Sequence, residues 1–565
     1  MYSQKIIYVL VSSLFLYIYS SYTYSDDAKL NLYDVYQEDI VSNDRFTNRF
    51  DYNEAEVRGE FISPGGKKYH MSGFYDGVIN HDHTWRVRFM PNQNGIWEYT
   101  IFFNNELTKK GQLSVSNKPG LISNHGHIKI DPEYKKSLVY EDGTPHYWIG
   151  GKWISALTYG PHRKENQVNK ATFQGSGVSF GRKSDDEILR YLSLLEKYRH
   201  NGLLIKIALF PLEKDKISWD LVWIKRAEWI VRECLKRGII VQINIFDTWS
   251  RNAEYWFKES DDGTMHVFNV WEDDDDKYKL NYIRTVISRF ASFPNIYWEL
   301  GNEMEHNPNC GECFIKISNE KYIPWIKKYD PYSLPIGLSE HVWFNTNVDI
   351  GFIHQTTQLP KEEWTKPVIM NELVQYIQEP TLIQKLRRKL FGYVIPEPEG
   401  LWHHKSINDP KLRFVYRKTF WKVFTYGGTG SSEATWLEID KPFSKAVQNV
   451  MNDHMNLANL LNGFINEINS MLLIKGVVVN GPGDVSTRAR TGIRYVTYFD
   501  IGKDKRISTG TLSIILPKGS YKGRWFRPRQ GDYIEVVYLK SNGREMKLSY
   551  PSFQEDIVLL LERGR

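Results

Sequence analysis

The sequence predicts an α/β protein, a (β/α)8 TIM barrel flanked by N-terminal and C-terminal antiparallel β-sandwich domains. A chain of 565 residues is too long for one compact core. Its middle alternates strand-like apolar runs with helical segments, and both flanks show the period-two alternation of antiparallel strands. The expected boundaries are a signal peptide over 1–25, a sandwich over 26–120, the barrel over 121–465 and a second sandwich over 466–565.

The composition narrows the class of protein. Charged residues make up 25% of the chain and hydrophobic residues 41%, as in ordinary soluble globular proteins. The net charge of +6 is spread without a basic run of five or more, so no nucleic-acid surface is expected. Aromatic residues reach 14%, with 18 Trp and 35 Tyr. That content fits either aromatic-rich β-domains or flat faces that stack on sugar rings.

The first 25 residues predict export. Lys5 precedes the apolar stretch Ile6–Tyr19, and the small residues Thr23 and Ser25 stand before an acidic segment, which is the pattern of a secretory signal peptide. The stretch is short for a membrane span, although an uncleaved anchor remains the alternative. We expect a secreted or periplasmic protein with no membrane span in its mature form.

Three cysteines are present. Cys234 lies in a predicted amphipathic helix and is expected in the core. Cys310 and Cys313 lie in the loop NPNCGEC, where a local disulfide or free thiols are expected. A zinc site would need two further ligands, and neither a second CxxC nor a suitably spaced His pair occurs. No metal and no cofactor are therefore predicted.

The N-terminal segments predict a β-sandwich with turns at Pro-Gly-Gly and Asn-Gly. The stretches GEFISPGGKKY, GFYDG and RVRFMPNQNGIWEYT resemble the small β-sandwich module at the front of many bacterial polysaccharide-degrading enzymes. Trp85 and Trp97 are expected to point into its core, and glycan binding is the alternative for both.

The middle of the chain predicts eight strand–helix units, which match a TIM barrel with insertions. Ser184 and Glu187 predict a capping box at the start of the first helix. The expected strands are Tyr147–Trp153, Leu203–Phe210, Ile239–Phe246, Asn295–Gly301, Leu334–Ser339, Val348–His354, Pro367–Met370 and one within Trp421–Trp436.

Residues 466–565 return to β-alternation in RYVTYFDI, GTLSIILPKG and EDIVLLLERG. They resemble a C-terminal module that is common behind such barrels and is sometimes labelled collagen-binding. Nothing in these residues supports collagen as a ligand.

Two apolar strands end in a glutamate. The stretch NIYWELGNEMEH predicts a buried strand followed by Asn302 and Glu303, and KPVIMNE predicts a strand that ends at Glu372. The C-terminal ends of TIM-barrel strands form the active face, so the two carboxyl groups are expected to meet there. Glycoside hydrolysis uses such a pair, at about 5–5.5 Å for retention or about 6.5–9.5 Å for inversion. Glu340, after the fifth strand, is a rival carboxylate.

The segment RFASFPNIYWELGNE resembles the large clan of retaining glycoside hydrolases whose acid/base follows an Asn at the end of strand four and whose nucleophile ends strand seven. Together with LVYEDGTPHYWIGG it is similar to the apiosidase-like branch of bacterial barrels, which often carries flanking sandwiches. The resemblance implies that Glu303 is the acid/base, that Glu372 is the nucleophile and that Asn302 binds the substrate 2-hydroxyl.

Other residues at strand ends are candidates for substrate contacts, with packing at the barrel rim as the alternative for each. They are Asp247 and Trp249 after strand three, His341 after strand five, His354 after strand six and Trp436 near strand eight.

Two other motifs are rejected. Gly177–Gly181 spells GxSxG but follows no apolar strand, so a serine nucleophile elbow is not expected. His81–His83 lies in a predicted turn, where a solvated loop is favoured over a metal site.

The sequence therefore predicts an exported glycoside hydrolase that acts on a polysaccharide or its oligosaccharides. One alternative is a catalytically inactive barrel that only binds carbohydrate. A polysaccharide lyase is another, and it would need a Tyr/His or Lys base near a uronate.

Overall fold

The computed structural model describes residues 28–151, 184–206, 219, 221–247, 270, 276–302, 304, 312–339, 341–353, 359–361, 363–373, 410–432 and 445–564. For Asp247, His341, Asn371 and Glu372 the description covers the backbone alone. The chain forms two compact units, one of Met1–Gly120, Ile287–Ser292 and Tyr329–Pro331, the other of Leu121–Val286, Phe293–Lys328 and Tyr332–Arg565.

Eight strands form the sandwich of the first unit: β1 (Ala28–Leu32), β2 (Tyr36–Val41), β3 (Val57–Ile62), β4 (Lys68–Ser72), β5 (Phe74–Ile79), β6 (Asp82–Phe89), β7 (Gly95–Phe103) and β8 (Glu106–Pro119). They make a five-stranded sheet in the order β1-β8-β7-β3-β4 and a three-stranded sheet in the order β2-β6-β5. The ring of Phe61 stacks on Phe89 at 4.1 Å. Trp85 and Trp97 are fully buried, so both belong to the core as expected.

The second unit begins with a small antiparallel sheet of β9 (Ile128–Ile130), β10 (Leu138–Tyr140) and β11 (Pro145–His146). Eight strands then close into a barrel in chain order, and their pairings are parallel. They are β12 (Ile149–Gly151), β13 (Gly202–Lys206), β14 (Ile240–Asp247), β15 (Ile296–Asn302), β16 (Ile336–Ser339), β17 (Ile350–Ile353), β18 (Val368–Leu373) and β19 (Thr429–Ser432). Each overlaps the run predicted for it, which confirms the barrel.

The inside of the barrel is packed with aromatic rings. Trp148, Tyr297 and Phe352 belong to one buried cluster, in which the Tyr297 ring lies 5.5 Å from Trp148 and 6.1 Å from Phe352. The strands read as near-continuous apolar runs because the sheet of such a barrel is covered on both faces.

Seven α-helices lie in the described part of the chain: α1 (Asp185–Lys197), α2 (Leu221–Leu235), α3 (Asp276–Phe290), α4 (Cys313–Ile317), α5 (Ile323–Tyr329), α6 (Pro410–Thr425) and α7 (Lys445–Asn462). A π-helical turn (Ser318–Tyr322) joins α4 to α5, and 3-10 turns occupy His341–Asn345 and Ile465–Ser470. No helix among the described residues combines the length and the apolar character needed to cross a membrane.

The capping box predicted for α1 is present. The Ser184 hydroxyl accepts from the Glu187 amide at 3.2 Å, and the Glu187 carboxylate accepts from the Ser184 amide at 3.0 Å. The eighth barrel strand is shorter than its predicted segment, because residues 421–425 belong to α6 and only Thr429–Ser432 is strand.

The C-terminal sandwich contains β20 (Leu472–Ile474), β21 (Val478–Asn480), β22 (Asp484–Arg490), β23 (Arg494–Asp500), β24 (Arg506–Ile507), β25 (Gly510–Ile515), β26 (Gly519–Arg527), β27 (Asp532–Ser541), β28 (Glu545–Tyr550), β29 (Phe553–Gln554) and β30 (Asp556–Arg563). Its main sheet has the order β20-β22-β23-β30-β26-β27, and it is accompanied by the smaller sheets β21-β25-β28 and β24-β29. Trp525 is fully buried in the core of this sandwich.

A buried ionic cluster fixes this sandwich to helix α6 within the second unit. The Arg417 guanidinium donates to Asp556 at 2.8 Å, to Glu555 at 2.8 Å and to Asp453 of α7 at 3.2 Å. One turn further along α6, Trp421 stacks on Tyr498 with an interplanar angle of 6°. The barrel helices and the C-terminal sandwich therefore share one interior.

Candidate active site

The fourth barrel strand ends at the first predicted acidic motif. Every residue of β15 is buried, and the strand ends at Asn302, which is 2% exposed. Glu303 follows directly and lies outside the described residues. Strand ends of this polarity form the active face of TIM barrels, so β15 leads its last residues to that face.

The seventh barrel strand contains the second motif. In β18, Met370 pairs with Gly430 and Leu373 pairs with Ser432 of β19. Two residues, Asn371 and Glu372, therefore stand opposite the single residue Ser431. This is a β-bulge, a device that redirects side chains and is over-represented next to active sites.

The third barrel strand ends beside the fourth. Asp247, the last residue of β14, is the register partner of Asn302. Its side chain is outside the description, so the substrate contact predicted for it stays a prediction.

Of the remaining candidates, only His341 lies among the described residues. The backbone of His341 begins the 3-10 turn that follows the fifth strand. Outside the described residues lie Trp249, His354, Trp436 and the rival Glu340.

Besides its aromatic rings, the barrel interior holds buried polar side chains on the third and fourth strands, which the sequence did not predict. Gln242 and Asn244 of β14 and Glu299 of β15 are at most 1% exposed, and Asn244 is the register partner of Glu299. The Tyr297 hydroxyl donates to the Gln242 side-chain oxygen at 2.9 Å, and burial raises the pKa of Tyr297 well above its usual value. The available signal was the interruption of the apolar run IIVQINIF by Gln242 and Asn244, two positions apart, and of IYWELGN by Glu299.

The structure locates some of the predicted cysteine and histidine motifs. Cys313 is disulfide-bonded, and Cys234 is a buried free thiol in α2, as expected for a core residue. Cys310 and the GxSxG motif at 177–181 lie outside the described residues. His81 lies in the turn before β6, and His83 hydrogen-bonds the Tyr75 hydroxyl at 2.7 Å. The described residues contain no group of three or more His, Cys, Asp or Glu able to hold a metal ion.

Comparisons with known proteins agree with this architecture. A family model described as a domain of unknown function, DUF5060, matches residues 33–104, within the N-terminal sandwich. No curated protein matches the chain at significant similarity.

Three solved structures are similar over most of the chain. A candidate glycoside hydrolase from Bacteroides vulgatus has a TM-score of 0.61 at 14% identity, over 95% of this chain and 100% of its own. A second structure, described as a glycoside hydrolase, has a TM-score of 0.51 at 13% identity, over 79% of this chain and 99% of its own. A family 5 glycoside hydrolase from Bacteroides vulgatus has a TM-score of 0.51 at 13% identity, over 78% and 95%. The chain thus has a glycoside hydrolase-like fold.

Proposed function

We propose that this protein is an exported glycoside hydrolase that cleaves a polysaccharide or its oligosaccharides by a retaining double displacement. The observation that carries the proposal is that Asn302 and Glu372 belong to the ends of the fourth and seventh strands of a closed barrel, and Glu303 is the next residue in the sequence after Asn302. The similar solved structures support the same proposal, and so does the resemblance of the strand-four motif to the retaining clan.

The spacing of these strands suits a pair of catalytic carboxyl groups. Strands about 4.8 Å apart and tilted by about 36° give an eight-stranded barrel a backbone radius of about 8 Å. Strands four and seven are then about 14 Å apart across the mouth. Two glutamate side chains that each reach about 4 Å toward the other would leave roughly 6 Å between the carboxyl groups, which is room for one glycosidic bond.

In the proposed reaction, Glu303 donates its proton to the glycosidic oxygen while the Glu372 carboxylate attacks the anomeric carbon. The leaving group departs with that proton, and a glycosyl ester of Glu372 forms. Glu303, now ionised, takes a proton from water, whose oxygen attacks the anomeric carbon and frees Glu372. Asn302 would hold the 2-hydroxyl of the sugar, and Asp247, Trp249, His341, His354 and Trp436 would contact neighbouring groups of the substrate.

Export is part of the proposal. It rests on the signal-like first 25 residues, and the disulfide at Cys313 suits an oxidising compartment. The apiosidase-like assignment rests on the resemblance of residues 138–151 and 289–303 together with the flanking sandwiches.

The test is a screen of released sugars from plant and algal polysaccharides, followed by single variants on the substrate that is cleaved. Glu303→Gln and Glu372→Gln should each abolish turnover while glycan binding persists. Glu340→Gln, which alters the rival carboxylate, should remain active. On an aryl glycoside with a good leaving group, Glu303→Ala should retain its first step and Glu372→Ala should not, because only the nucleophile is then indispensable.

Two results would contradict the proposal. If the wild-type protein binds a glycan and cleaves none, the inactive carbohydrate-binding barrel is correct. Unsaturated products that absorb in the ultraviolet would instead identify a lyase.

A further inference from the structure

The free edge of the C-terminal sandwich carries a cluster of exposed apolar side chains. Strand β27 is the last strand of the six-stranded sheet. Within residues 533–538, Tyr538 is 77% exposed and Val536 48%, and Tyr533 and Ile534 are exposed as well. Such a concentration on one strand indicates a surface that binds something.

Lysines flank the most exposed ring on the same face of the sheet. Tyr538 pairs directly with Lys522 of β26, so the two side chains point the same way. Lys540, two residues beyond Tyr538, shares that face. Both lysines are exposed, and within the described part of the chain neither has an ion-pair partner. We call Val536, Tyr538, Lys522 and Lys540 the edge patch.

The row behind the edge patch is balanced in charge. Lys522 pairs with Glu562 of β30, whose carboxylate accepts from both Arg524, at 2.8 Å, and Arg494. The guanidinium of Arg524 lies 4.6 Å from the centre of the Tyr533 ring. Because Arg494 also pairs with Glu467, at 3.1 Å, two carboxylates balance the two arginines, and the excess positive charge of this face comes from Lys522 and Lys540.

Away from the edge patch, helix α6 covers the same face of the sheet. Tyr498 and Phe526 both contact Trp421 of α6, and the sandwich is anchored there by Arg417. The edge patch is therefore uncovered surface on a module that is packed firmly against the barrel.

We propose that the edge patch binds an anionic polysaccharide, with one sugar ring on Tyr538 and uronate carboxylates paired with Lys522 and Lys540. The choice of a glycan rests on the proposed function. The apolar face of a pyranose fits a flat exposed ring, and two unpaired ammonium groups beside the ring favour carboxylates. A chain held there would raise the local concentration of substrate for the barrel.

A second copy of the chain fits this surface less well. Face-to-face packing would bring the same excess of positive charge against itself. Edge-to-edge pairing along β27 is opposed by its β-bulge near Ile534, between the pairs Trp525–Glu535 and Phe526–Tyr533, and by Lys540.

The test is affinity electrophoresis of the full-length protein in gels that contain polygalacturonate or neutral dextran. Wild type should be retarded by polygalacturonate more than by dextran, and raised salt should weaken the retardation. Tyr538→Ala and the double variant Lys522→Ser/Lys540→Ser should each weaken the apparent affinity about tenfold. The matched controls Val479→Ala and Lys547→Ser alter exposed residues of the other sheet and should behave as wild type. Melting curves check that every variant is folded.

The same gels are run with Glu303→Gln, so that binding is scored without cleavage. Tyr538-dependent retardation supports the edge patch even if no glycan is ever hydrolysed. Equal retardation of wild type and Tyr538→Ala overturns the inference even if the barrel proves to be a hydrolase. It is also overturned if dextran binds equally well, or if light scattering shows a dimer that Tyr538→Ala dissociates without any effect on glycan binding.

Discussion

The hydroxyl of Ser339 donates a buried hydrogen bond of 3.0 Å to the carbonyl of Gly301. The register pairs between barrel strands five and four run as far as Gly337 and Glu299. The Ser339 bond adds a link two residues further on, immediately before Asn302 and the proposed acid/base Glu303. It therefore ties the end of the fourth strand in place at the edge where the chemistry is proposed.

Ser339→Ala should lower kcat/KM about tenfold with a small loss of stability. A buried hydrogen bond contributes about 1 kcal/mol to stability, whereas a small displacement of a catalytic group costs far more in rate. The control is Ser486→Ala in strand β22 of the C-terminal sandwich, which removes a buried hydroxyl contact of 2.7 Å with Thr425 of α6. The two variants should have similar melting temperatures and different activities. Equal activities would show that the Ser339 bond does not position the site.

Gly301→Ala should impair activity more than Ser339→Ala does. A Cβ at this position would clash with Cγ of Met304 and lie 3.1 Å from Cζ of Phe314, so the Met304 side chain must shift. Overpacking of this kind costs about 1–3 kcal/mol. Adding Met304→Ala should restore part of the activity, and Gly65→Ala, where the nearest atom is at 3.5 Å, should have no effect. Steady-state kinetics and thermal melts of the four variants measure these effects on activity and stability.

The barrel could be predicted because its eight strands are buried on both faces and therefore stand out as apolar runs. Helix α6 could not be separated from the eighth strand in the same way. Its sequence KLRFVYRKTFWKVFT carries large apolar residues on more than one side. The structure gives the reason, since Phe420 stacks on His454 of α7 while Trp421 stacks on Tyr498 of the sandwich.

The candidate site was predictable only where a polar residue ends an apolar strand. Asn302 and Glu372 belong to the ends of the fourth and seventh strands, as that rule requires. This rule does not find the buried residues Gln242 and Glu299, because they lie inside the strands. The sequence does not show which face of the sheet such a polar residue occupies until the register of the strands is known. The bulge at residues 371–372 could not be predicted either, because a bulge is defined by the pairing of two strands and not by the sequence of one.

Arg417→Met should destabilise the protein by about 3–5 kcal/mol. The arginine is 1% exposed and pairs with Asp453, Glu555 and Asp556, so its removal leaves carboxylates buried without their counter-charge. The control is Arg527→Met, which breaks the more exposed pair with Asp532 and should cost no more than about 1 kcal/mol. Chemical denaturation at pH 7.5 measures both.

The loss caused by Arg417→Met should shrink as the pH falls. Burial raises the pKa of Asp556 above its usual value even with Arg417 beside it, and removal of the guanidinium should raise it further. A folded-state pKa above the unfolded value means that protonation favours the folded state, so the variant regains stability below neutrality. A constant difference between the two proteins from pH 7.5 to pH 5 would contradict this account.

Two buried histidines predict the opposite pH dependence for the wild-type protein. His200 Nε2 lies 3.3 Å from His454 Nδ1, and burial lowers the pKa of His200 to about 4 and that of His454 well below its usual value. In the unfolded chain these histidines bind protons at about pH 6.5, whereas in the folded chain they stay neutral at that pH. The stability present above pH 6.5 is therefore lost as the pH falls toward 4. At pH 5 the loss is about 2 kcal/mol for His200 alone. The free energy of unfolding of His200→Gln/His454→Gln should therefore fall less between pH 7 and pH 5 than that of wild type. The exposed His70→Gln should follow wild type, and parallel curves for all three proteins would refute the prediction.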